Sequence, residues 1–228
     1  FIVLLLQRQQ FRKRLRQIEL QQKIQAERER ISRDLHDNVG SQISYLVSNI
    51  DWITQHEIAE HEKHKRLTSL SDTAQGLMSN MRETIWALNK ADISIDEFAD
   101  KLKAFARHML QYNDSIRFQS EEYLTNGYVF EPGEALNIFR ICQEAVNNAI
   151  KHSDASLILL KIWSDGPGTF TLELSDNGKG YMTTETTGSG HYGLDNMKQR
   201  AAEYDVLLQV ISTIGDGTRV ILNKQKVS

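Results

Sequence analysis

Cysteine, proline and long apolar runs are scarce in this chain, and each scarcity limits the class of protein. The one cysteine, Cys142, excludes an intrachain disulfide, and its apolar helical surroundings predict a small buried thiol in a reducing compartment. The longest apolar run, Phe1 to Leu6, is far too short to span a bilayer. With 40% hydrophobic and 25% charged residues, the 228-residue chain has the composition of a globular protein that can bury a sizeable core.

The chain starts with a short apolar segment that is followed directly by basic residues. Six apolar residues are followed by five basic ones with no acid among them: Arg8, Arg12, Lys13, Arg14 and Arg16. This order is typical of the cytoplasmic exit of a transmembrane helix. Residues 1–6 are therefore interpreted as the stub of such a helix, and a soluble coiled coil with a frayed apolar end is the alternative.

The charge of the chain is unevenly distributed. Residues 1–34 carry nine Lys/Arg and four Asp/Glu, a balance of +5, so the net charge of −3 leaves −8 for the rest. The net negative charge of residues 35–228 argues against nucleic acid as a partner.

Two long amphipathic helices are predicted in the first ninety residues. Residues 7–54 contain no proline and one glycine, Gly40, and apolar residues recur there in steps of three and four, with a break between Ile18 and Ile31. A polar connection is predicted over residues 55–65, and a second apolar stripe runs from Leu67 to Leu88. A hairpin of this kind leaves its stripe partly uncovered. The sequence therefore predicts a homodimer in which two hairpins form a four-helix bundle.

After residue 90 the pattern changes to mixed helices and strands. Helices are predicted over 95–111, 132–152 and 192–204, and strands over 116–119, 157–163, 170–174, 207–212 and 218–222. The last two strands flank a glycine-containing turn and form a hairpin. The sequence thus predicts an α/β sandwich in the second part of the chain.

A histidine beside an acid is the first chemical feature. His36 lies at the border of the apolar stripe of the first helix, next to Asp37. A neutral imidazole nitrogen can attack the γ-phosphorus of ATP, and a carboxylate that takes the proton from the other ring nitrogen assists that attack. Asp37 is the candidate base. The alternative is an ordinary surface His-Asp pair.

Carboxylate, amide and glycine positions in the second part of the chain suit a nucleotide. Glu144, Asn148 and His152 recur every four residues and so share one helical face, where oxygen ligands can hold Mg²⁺; a solvated polar stripe is the alternative. Asp176 follows a strand and precedes Gly178 and Gly180, a pattern that also occurs in simple turns.

A glycine-rich segment lies between these motifs and the final hairpin. Residues 181–189 are small and polar, as a lid over a nucleotide would be, and the helix that begins near Tyr192 can direct its N–H groups at a triphosphate. The glycines of this segment are Gly188, Gly190 and Gly193. Their spacing alone is weak evidence, since no strand precedes it in the manner of a dinucleotide-binding loop.

Taken in order, these motifs resemble the sensor histidine kinases of bacterial two-component systems. Asp34-Leu35-His36-Asp37 is similar to the subfamily that includes NarX and DesK, and the likeness extends from Glu27 to Thr218. The resemblance implies a signalling coiled coil over residues 7–30, a dimerisation and histidine phosphotransfer domain over 31–90, and an ATP-binding domain over 91–228. It also implies the Bergerat (GHKL) fold of the gyrase and MutL superfamily for the last of these, in the cytoplasmic portion of a bacterial inner-membrane protein.

The resemblance further implies a role for each site residue. His36 would accept the phosphoryl group of Mg-ATP and pass it to an aspartate in the receiver domain of a response regulator. Asn148 would bind the metal, with Glu144 as its water-orienting partner and Lys151 as a phosphate contact. Asp176 would accept a hydrogen bond from the adenine amino group, and Thr218 would contact the same base. The remaining nucleotide-binding residues would be His152, Gly178, Gly180, Gly188, Gly190, His191, Gly193 and Leu194.

Two other functions are compatible with parts of the pattern. One is a GHKL-fold ATPase or protein-serine kinase in which His36 is not a phosphoacceptor, and acid-stable phosphorylation would indicate it. The other is a dimeric scaffold with an inactive nucleotide domain, which would not bind ATP.

One position departs from the family pattern. Relatives that also dephosphorylate their regulators carry glutamine five residues after the histidine, where this chain has Ser41, and the glutamine here is Gln42. A shift of one residue rotates the amide by about 100° around the helix, towards the apolar stripe. The sequence therefore predicts weak phosphatase activity. The alternative is that a local distortion at Gly40 returns Gln42 to the side of the helix that carries Asp37.

Overall fold

A computed structural model of the chain describes residues 2–56, 58–111, 113–125, 127–166, 168–182 and 192–225. Within these ranges, the described side chains exclude residues 2–6, 16–17, 19–20, 23–24, 27, 34–38 and 192. The chain divides into two compact units, Phe1–Ala91 and Asp92–Ser228.

The first unit is a hairpin of two helices, α1 (Ile2–Gln55) and α2 (Glu60–Leu88). The absence of proline lets α1 run without interruption for 54 residues. The buried apolar residues of the hairpin are Ile31, Ile53, Leu70, Leu77 and Ala87. Among the described residues, neither helix contains a stretch long and apolar enough to cross a membrane.

The connection between the helices is shorter than predicted. The polar residues 55–65 suggested a loop, but α2 already begins at Glu60, so only residues 56–59 join the helices. The prediction was wrong because the polar residues Glu60 and Glu62 belong to the first turn of α2 and not to a loop. Acidic side chains in the first turn of a helix stabilise the positive end of its dipole. Glu62 also pairs with Arg66 one turn later at 2.9 Å.

Much of the apolar stripe of the hairpin remains exposed in a single chain. Among the described side chains of the hairpin, the apolar residues that are between 46% and 55% accessible include Ile43, Val47, Ile50, Leu67, Met78 and Ile85. On the surface of a monomeric protein most exposed apolar residues occur singly, so this many on one hairpin is unusual.

The helix α1 stays regular at Gly40. The α-helical hydrogen-bonding pattern continues through this residue, and the Ser44 hydroxyl donates to its carbonyl oxygen at 2.9 Å. Ser41 is exposed and Gln42 is half-buried. The distortion that would have returned Gln42 to the face of Ser41 is therefore not found.

The second unit contains the remaining elements of the chain. They are β1 (Ile93–Ser94), α3 (Ile95–Leu110), β2 (Arg117–Leu124), β3 (Val129–Phe130), α4 (Pro132–His152), β4 (Leu157–Gly166), β5 (Thr169–Asp176), α5 (Tyr192–Ala202), β6 (Leu207–Thr213) and β7 (Gly217–Lys224). The main sheet has the strand order β2-β4-β5-β7-β6, in which β2 is parallel to β4 and the other pairs are antiparallel. Strands β1 and β3 form a separate short pair.

One face of the main sheet is buried and carries the core. Burial alternates along β4 and β5, with Ile158, Leu160 and Leu172 almost fully covered. A cluster of aromatic rings adds to this core. The ring centroid of Phe130 lies 4.8 Å from that of Phe98 and 5.1 Å from that of Phe170. The predicted combination of a helical hairpin and an α/β sandwich is confirmed. Cys142 is fully buried, and this burial raises the pKa of its thiol.

Polar contacts fix helix α4 at its start and tie it to α5. The buried Glu134 carboxylate accepts hydrogen bonds from the Tyr128 hydroxyl at 2.9 Å and from Lys224 Nζ at 2.6 Å. Asn137 donates to Glu203 and accepts from Arg200, both at 3.0 Å. Buried groups paired in this way resist displacement, because separating them leaves polar atoms unsatisfied. They therefore hold α4 and α5 at a fixed spacing beside the sheet.

Candidate functional site

A cavity of about 300 Å³ opens between α4, α5 and the buried face of the sheet. Its polar lining comes from α4, from the ends of β5 and β7, and from the residues that follow β5. Its apolar lining comes from α4, α5 and the sheet strands β4 to β7. The lining residues are Glu144, Ala145, Val146, Asn148, Ala149, His152, Ser153, Ile158, Leu174, Ser175, Asp176, Gly180, Tyr181, Gly193, Leu194, Met197, Val210, Thr218 and Val220.

Helix α4 supplies the face predicted for a metal and phosphates. It begins at Pro132, whose fixed φ favours the first helical position, and it runs as predicted to His152. Glu144, Asn148 and His152 all line the cavity, and the Asn148 amide donates to Glu144 Oε1 at 3.2 Å. Lys151 is exposed and does not belong to the lining.

Asp176 lies at the end of β5, beside several polar groups. Its Oδ1 atom accepts a hydrogen bond from the Gly178 N–H at 2.9 Å. The Thr218 backbone and the Ser153 hydroxyl, which itself donates to the Ala149 carbonyl oxygen at 2.6 Å, are also close to its carboxylate. Burial raises the pKa of Asp176, and these three groups oppose that rise because they stabilise the ionised form.

Two glycines close the turn around Asp176. Gly217 has a φ of 81°, and a Cβ atom there would overlap the carbonyl oxygen of Asp176. Gly180 has a φ of 59°, and a Cβ atom there would overlap the carbonyl oxygen of Thr213. Both positions therefore require glycine on account of conformation as well as space. Gly178 is buried against Ser153 behind this turn.

Thr218 is oriented by a serine on the neighbouring strand. The hydroxyl oxygens of Ser212 and Thr218 lie 2.9 Å apart, and the Ser212 hydroxyl also accepts a hydrogen bond from the Tyr181 N–H at 2.9 Å. The register of the hairpin places these residues opposite each other, since Ser212 pairs with Thr218 across β6 and β7. Thr218 thus presents its hydroxyl beside Asp176.

The start of α5 borders the face of α4 that carries Glu144. A Cβ atom at Gly193 would overlap the Glu144 carboxylate, and Leu194 and Met197 continue the lining along α5. Free N–H groups in the first turn of a helix favour an anion. Gly188, Gly190 and His191, also predicted to bind the nucleotide, lie outside the described residues.

The predicted catalytic pair belongs to the other unit. His36 and Asp37 lie within α1, but their side chains lie outside the described part of the chain. Their roles therefore stay predictions from the sequence.

Three polar lining residues were missed by the sequence analysis: Ser153, Ser175 and Tyr181. Ser153 is the first residue after α4, and serine at a helix end is usually interpreted as a cap. Ser175 precedes the Asp176 that the motif singled out, and Tyr181 was assigned only to the lid. Their position next to motif residues was the one signal available.

Comparison with known proteins identifies two domains in the chain. Residues 27–93 match the family described as "Histidine kinase", and residues 133–227 match the "Histidine kinase-, DNA gyrase B-, and HSP90-like ATPase" family. The second match covers every residue that was given above as lining the cavity. It confirms the prediction that this unit binds ATP.

Individual relatives agree with this assignment. The chain is 28% identical over 201 residues to the sensor histidine kinase LiaS of Bacillus subtilis, with 86% of this chain and 53% of the relative covered. It is 25% identical over 199 residues to the signal transduction histidine-protein kinase/phosphatase DegS of Brevibacillus brevis, with 86% and 50% covered. The chain thus spans about half the length of these relatives.

Solved structures show the same fold. The histidine kinase domain of the Erythrobacter litoralis EL346 blue-light activated kinase superposes with a TM-score of 0.51 at 16% identity. This match covers 79% of the present chain and 95% of that domain.

Proposed function

We propose, from the premise that this chain belongs to the sensor histidine kinases, that it is the cytoplasmic kinase core of a membrane-bound bacterial sensor. In this proposal the chain transfers the γ-phosphoryl group of Mg-ATP to His36 and then to an aspartate in the receiver domain of a response regulator. The observation that carries the proposal is the cavity of the second unit. Oxygen-bearing side chains of α4 line it together with the Asp176 carboxylate and the Thr218 hydroxyl.

Each end of a nucleotide has suitable partners in this cavity. The Asp176 carboxylate can accept a hydrogen bond from the adenine amino group, and the apolar side chains of Leu174 and Val220 can cover the faces of the base. The first turn of α5 and the polar face of α4 can receive the phosphates. A mononucleotide has the size and polarity that this arrangement requires.

The residues of α4 fit a magnesium ion. Glu144 and Asn148 offer hard oxygen ligands on one face, within hydrogen-bonding distance of each other. Among the described residues no group of three or more His, Cys, Asp or Glu side chains could by itself hold a metal ion. Mg²⁺ typically uses one or two protein ligands together with substrate phosphates, where it neutralises developing charge.

The transfer itself requires a nitrogen nucleophile and a base. A neutral ring nitrogen of His36 attacks the γ-phosphorus, a nitrogen–phosphorus bond forms, and the bond to the bridging oxygen breaks to release ADP. Asp37 accepts the proton that the other ring nitrogen loses. In the second step a carboxylate oxygen of the regulator attacks the phosphorus, and the nitrogen–phosphorus bond breaks.

The exposed stripe of the first unit supports a homodimer. The apolar residues that a single hairpin leaves accessible would be covered if two hairpins formed a four-helix bundle. Such a bundle would present His36 of each protomer on a rigid helix.

Mapping the phosphorylated residue tests the proposal. The chain is incubated with γ-labelled ATP and Mg²⁺, and the labelled residue is identified by mass spectrometry at neutral pH. We expect acid-labile label on His36. Acid-stable label on a serine would support the alternative ATPase or protein-serine kinase, and an absence of ATP binding would support the inactive scaffold.

Replacing Asp176 with Asn should weaken ATP binding by roughly ten- to a hundredfold, because a hydrogen bond to a charged group contributes about 1.5–3 kcal/mol. The wild-type affinity should also fall as the pH drops through the raised pKa of Asp176, since protonation removes the charged acceptor. The Asn variant should lack this acidic decline. Titration calorimetry from neutral to acidic pH measures both effects, with Asp165→Asn as the matched control on the exposed end of β4.

A wild-type affinity in Asp176→Asn, or an unchanged decline at low pH, would contradict the role of Asp176 in base recognition.

Phosphatase activity towards the phosphorylated regulator should be weak in the wild-type chain. The regular helix at Gly40 leaves Ser41 exposed and Gln42 half-buried, so the glutamine amide does not share the exposed face of Ser41. Ser41→Gln should accelerate the decay of phosphorylated regulator about tenfold or more, within the range for a residue that positions a reacting group. Gln42→Ala should leave the decay unchanged. Rapid decay with the wild-type chain that Gln42→Ala abolishes would refute this expectation.

A further inference from the structure

Asn177 directly follows Asp176, the proposed acceptor for the adenine base. It belongs to the motif that runs from Asp176 to Gly180, but its side chain is exposed and does not line the cavity. An exposed asparagine can satisfy its amide with water, so several bonds from that amide to the protein indicate a role in the local structure.

The side-chain amide of Asn177 binds the start of strand β4. Its Oδ1 atom accepts hydrogen bonds from the N–H groups of Ser156 and Leu157, both at 2.9 Å. Its Nδ2 atom donates to the Ser156 hydroxyl oxygen at 3.0 Å. Two N–H donors can bind only to the amide oxygen, so the orientation of the amide is fixed. The side chain therefore joins the residue after Asp176 to two successive residues of the neighbouring segment.

These bonds begin where the ladder between two strands ends. Asp176 is the last residue of β5 and pairs with Ile158 of β4. One residue later the Asn177 N–H still donates to the Leu157 carbonyl oxygen, at 3.3 Å. The chain then bends at Gly178, whose N–H donates to Asp176 Oδ1 at 2.9 Å. Asn177 therefore fixes the point at which the chain leaves the sheet, and with it the direction of the Asp176 carboxylate.

The far end of the loop of residues 177–180 is held by backbone hydrogen bonds. The Lys179 N–H donates to the Ser153 carbonyl oxygen at 2.7 Å, and the Gly215 N–H donates to the Lys179 carbonyl oxygen at 2.8 Å. The Lys179 ammonium also pairs with Asp154 at 2.9 Å, but these side chains are 62% and 80% exposed, so the pair contributes little to stability. The near end of the loop is held by the asparagine side chain.

We propose that Asn177 is a positioning residue for base specificity. By binding the start of β4, its side chain holds the Asp176 carboxylate in the direction that accepts a hydrogen bond from the exocyclic amino group of adenine. The inference rests on the proposed role of Asp176. It adds that discrimination between an amino purine and an oxo purine depends on a residue outside the cavity.

ATP and ITP differ at the group that this carboxylate would recognise. Adenine carries an exocyclic amino donor, whereas hypoxanthine carries an oxygen acceptor at the same position. A carboxylate opposite that oxygen places two acceptors together, and polar groups buried without a partner weaken binding. Displacement of the carboxylate should therefore lower the affinity for ATP and leave the weaker affinity for ITP nearly unchanged.

The test measures the affinity of the full chain for ATP and for ITP, each with Mg²⁺, by titration calorimetry at neutral pH. Asn177→Ala should reduce the preference for ATP over ITP about tenfold, the effect of misplacing one hydrogen bond to a charged group. Asn177→Asp keeps an oxygen for the two N–H groups, and the Ser156 hydroxyl can turn to donate to the carboxylate. This variant should retain the preference of the wild type.

The alanine variant should fold. Asn177 and Ser156 are exposed, so water can replace the bonds that the substitution removes. If Asn177→Ala does not fold, Asn177→Ser keeps one shorter acceptor and should show a smaller loss of the same preference.

Asn223→Ala is the matched control. The Asn223 amide also joins two strands, since its Nδ2 atom donates to the Thr171 hydroxyl at 2.8 Å between β7 and β5, and it does not line the cavity. Its removal should leave the preference for ATP over ITP unchanged. Combining Asn177→Ala with Asp176→Asn should add little to the loss of preference in Asp176→Asn alone, because Asn177 acts through the carboxylate.

The outcomes separate the inference from the proposed function. If Asp176→Asn keeps the wild-type preference for ATP, base recognition by Asp176 fails, and the inference fails with it. If Asp176→Asn loses the preference while Asn177→Ala behaves as Asn223→Ala does, the role of Asn177 alone is refuted. An equal loss of affinity for ATP and ITP in Asn177→Ala would also overturn it, since that result indicates a purely structural residue. A loss of preference in Asn177→Asp as large as in Asn177→Ala would contradict the role of the two bonds to Oδ1.

Discussion

His36→Gln should abolish the incorporation of labelled phosphate into the chain while leaving ATP binding intact. Glutamine is a good helix former and is close to histidine in size, so α1 should persist. Every residue that lines the nucleotide cavity belongs to the second unit, so the substitution removes the proposed acceptor without changing the donor site. Autoradiography measures incorporation, and calorimetry measures the affinity for ATP.

The control for this experiment is His64→Gln, which replaces an exposed histidine of α2. It should incorporate label at the wild-type rate. Label that persists in His36→Gln would eliminate His36 as the acceptor, and equal losses in both variants would indicate an effect on the hairpin in general.

Asn148→Ala should remove the dependence of ATP binding on Mg²⁺. Its amide lies on the cavity wall and contacts Glu144, so the variant loses one oxygen ligand and frees the carboxylate that it orients. Loss of a group that orients or binds a metal reduces metal affinity on the order of 10- to 100-fold. ATP affinity measured with and without Mg²⁺ should then differ little in the variant and strongly in the wild type.

Asn147→Ala is the matched control for Asn148→Ala, because Asn147 is the neighbouring amide on α4 and does not line the cavity. It should retain the full effect of Mg²⁺. If Asn148→Ala still binds ATP more tightly with Mg²⁺ than without, to the same extent as the control, the assignment of the metal to this face is wrong.

Local signals predicted the regular elements well. Helix α4 was predicted from Pro132 to His152 because proline marks the first helical position and the apolar residues keep a helical period. The hairpin of β6 and β7 followed from a glycine-containing turn between two β-rich runs. The start of α2 was placed too late, because acidic residues in a first turn resemble a polar loop.

Non-local contacts account for what the sequence did not predict. Strands β1 and β3 are two residues long, too short to show any alternation, and they exist through their pairing with each other. Ser153 is similar: its partner Lys179 lies more than twenty residues away along the chain, and no spacing rule connects the two. Motifs predicted which residues carry the chemistry, and tertiary packing determines which residues hold them in place.

The tight turns around Asp176 have a consequence for nucleotide exchange. Gly180 and Gly217 bring backbone segments so close together that neither has room for a side chain, so the base end of the cavity is already ordered before a nucleotide arrives. Adenine binding then orders little additional chain, and ADP should be held at this end as firmly as ATP. The rate at which product leaves is therefore expected to depend on the phosphate end, between α4 and the start of α5.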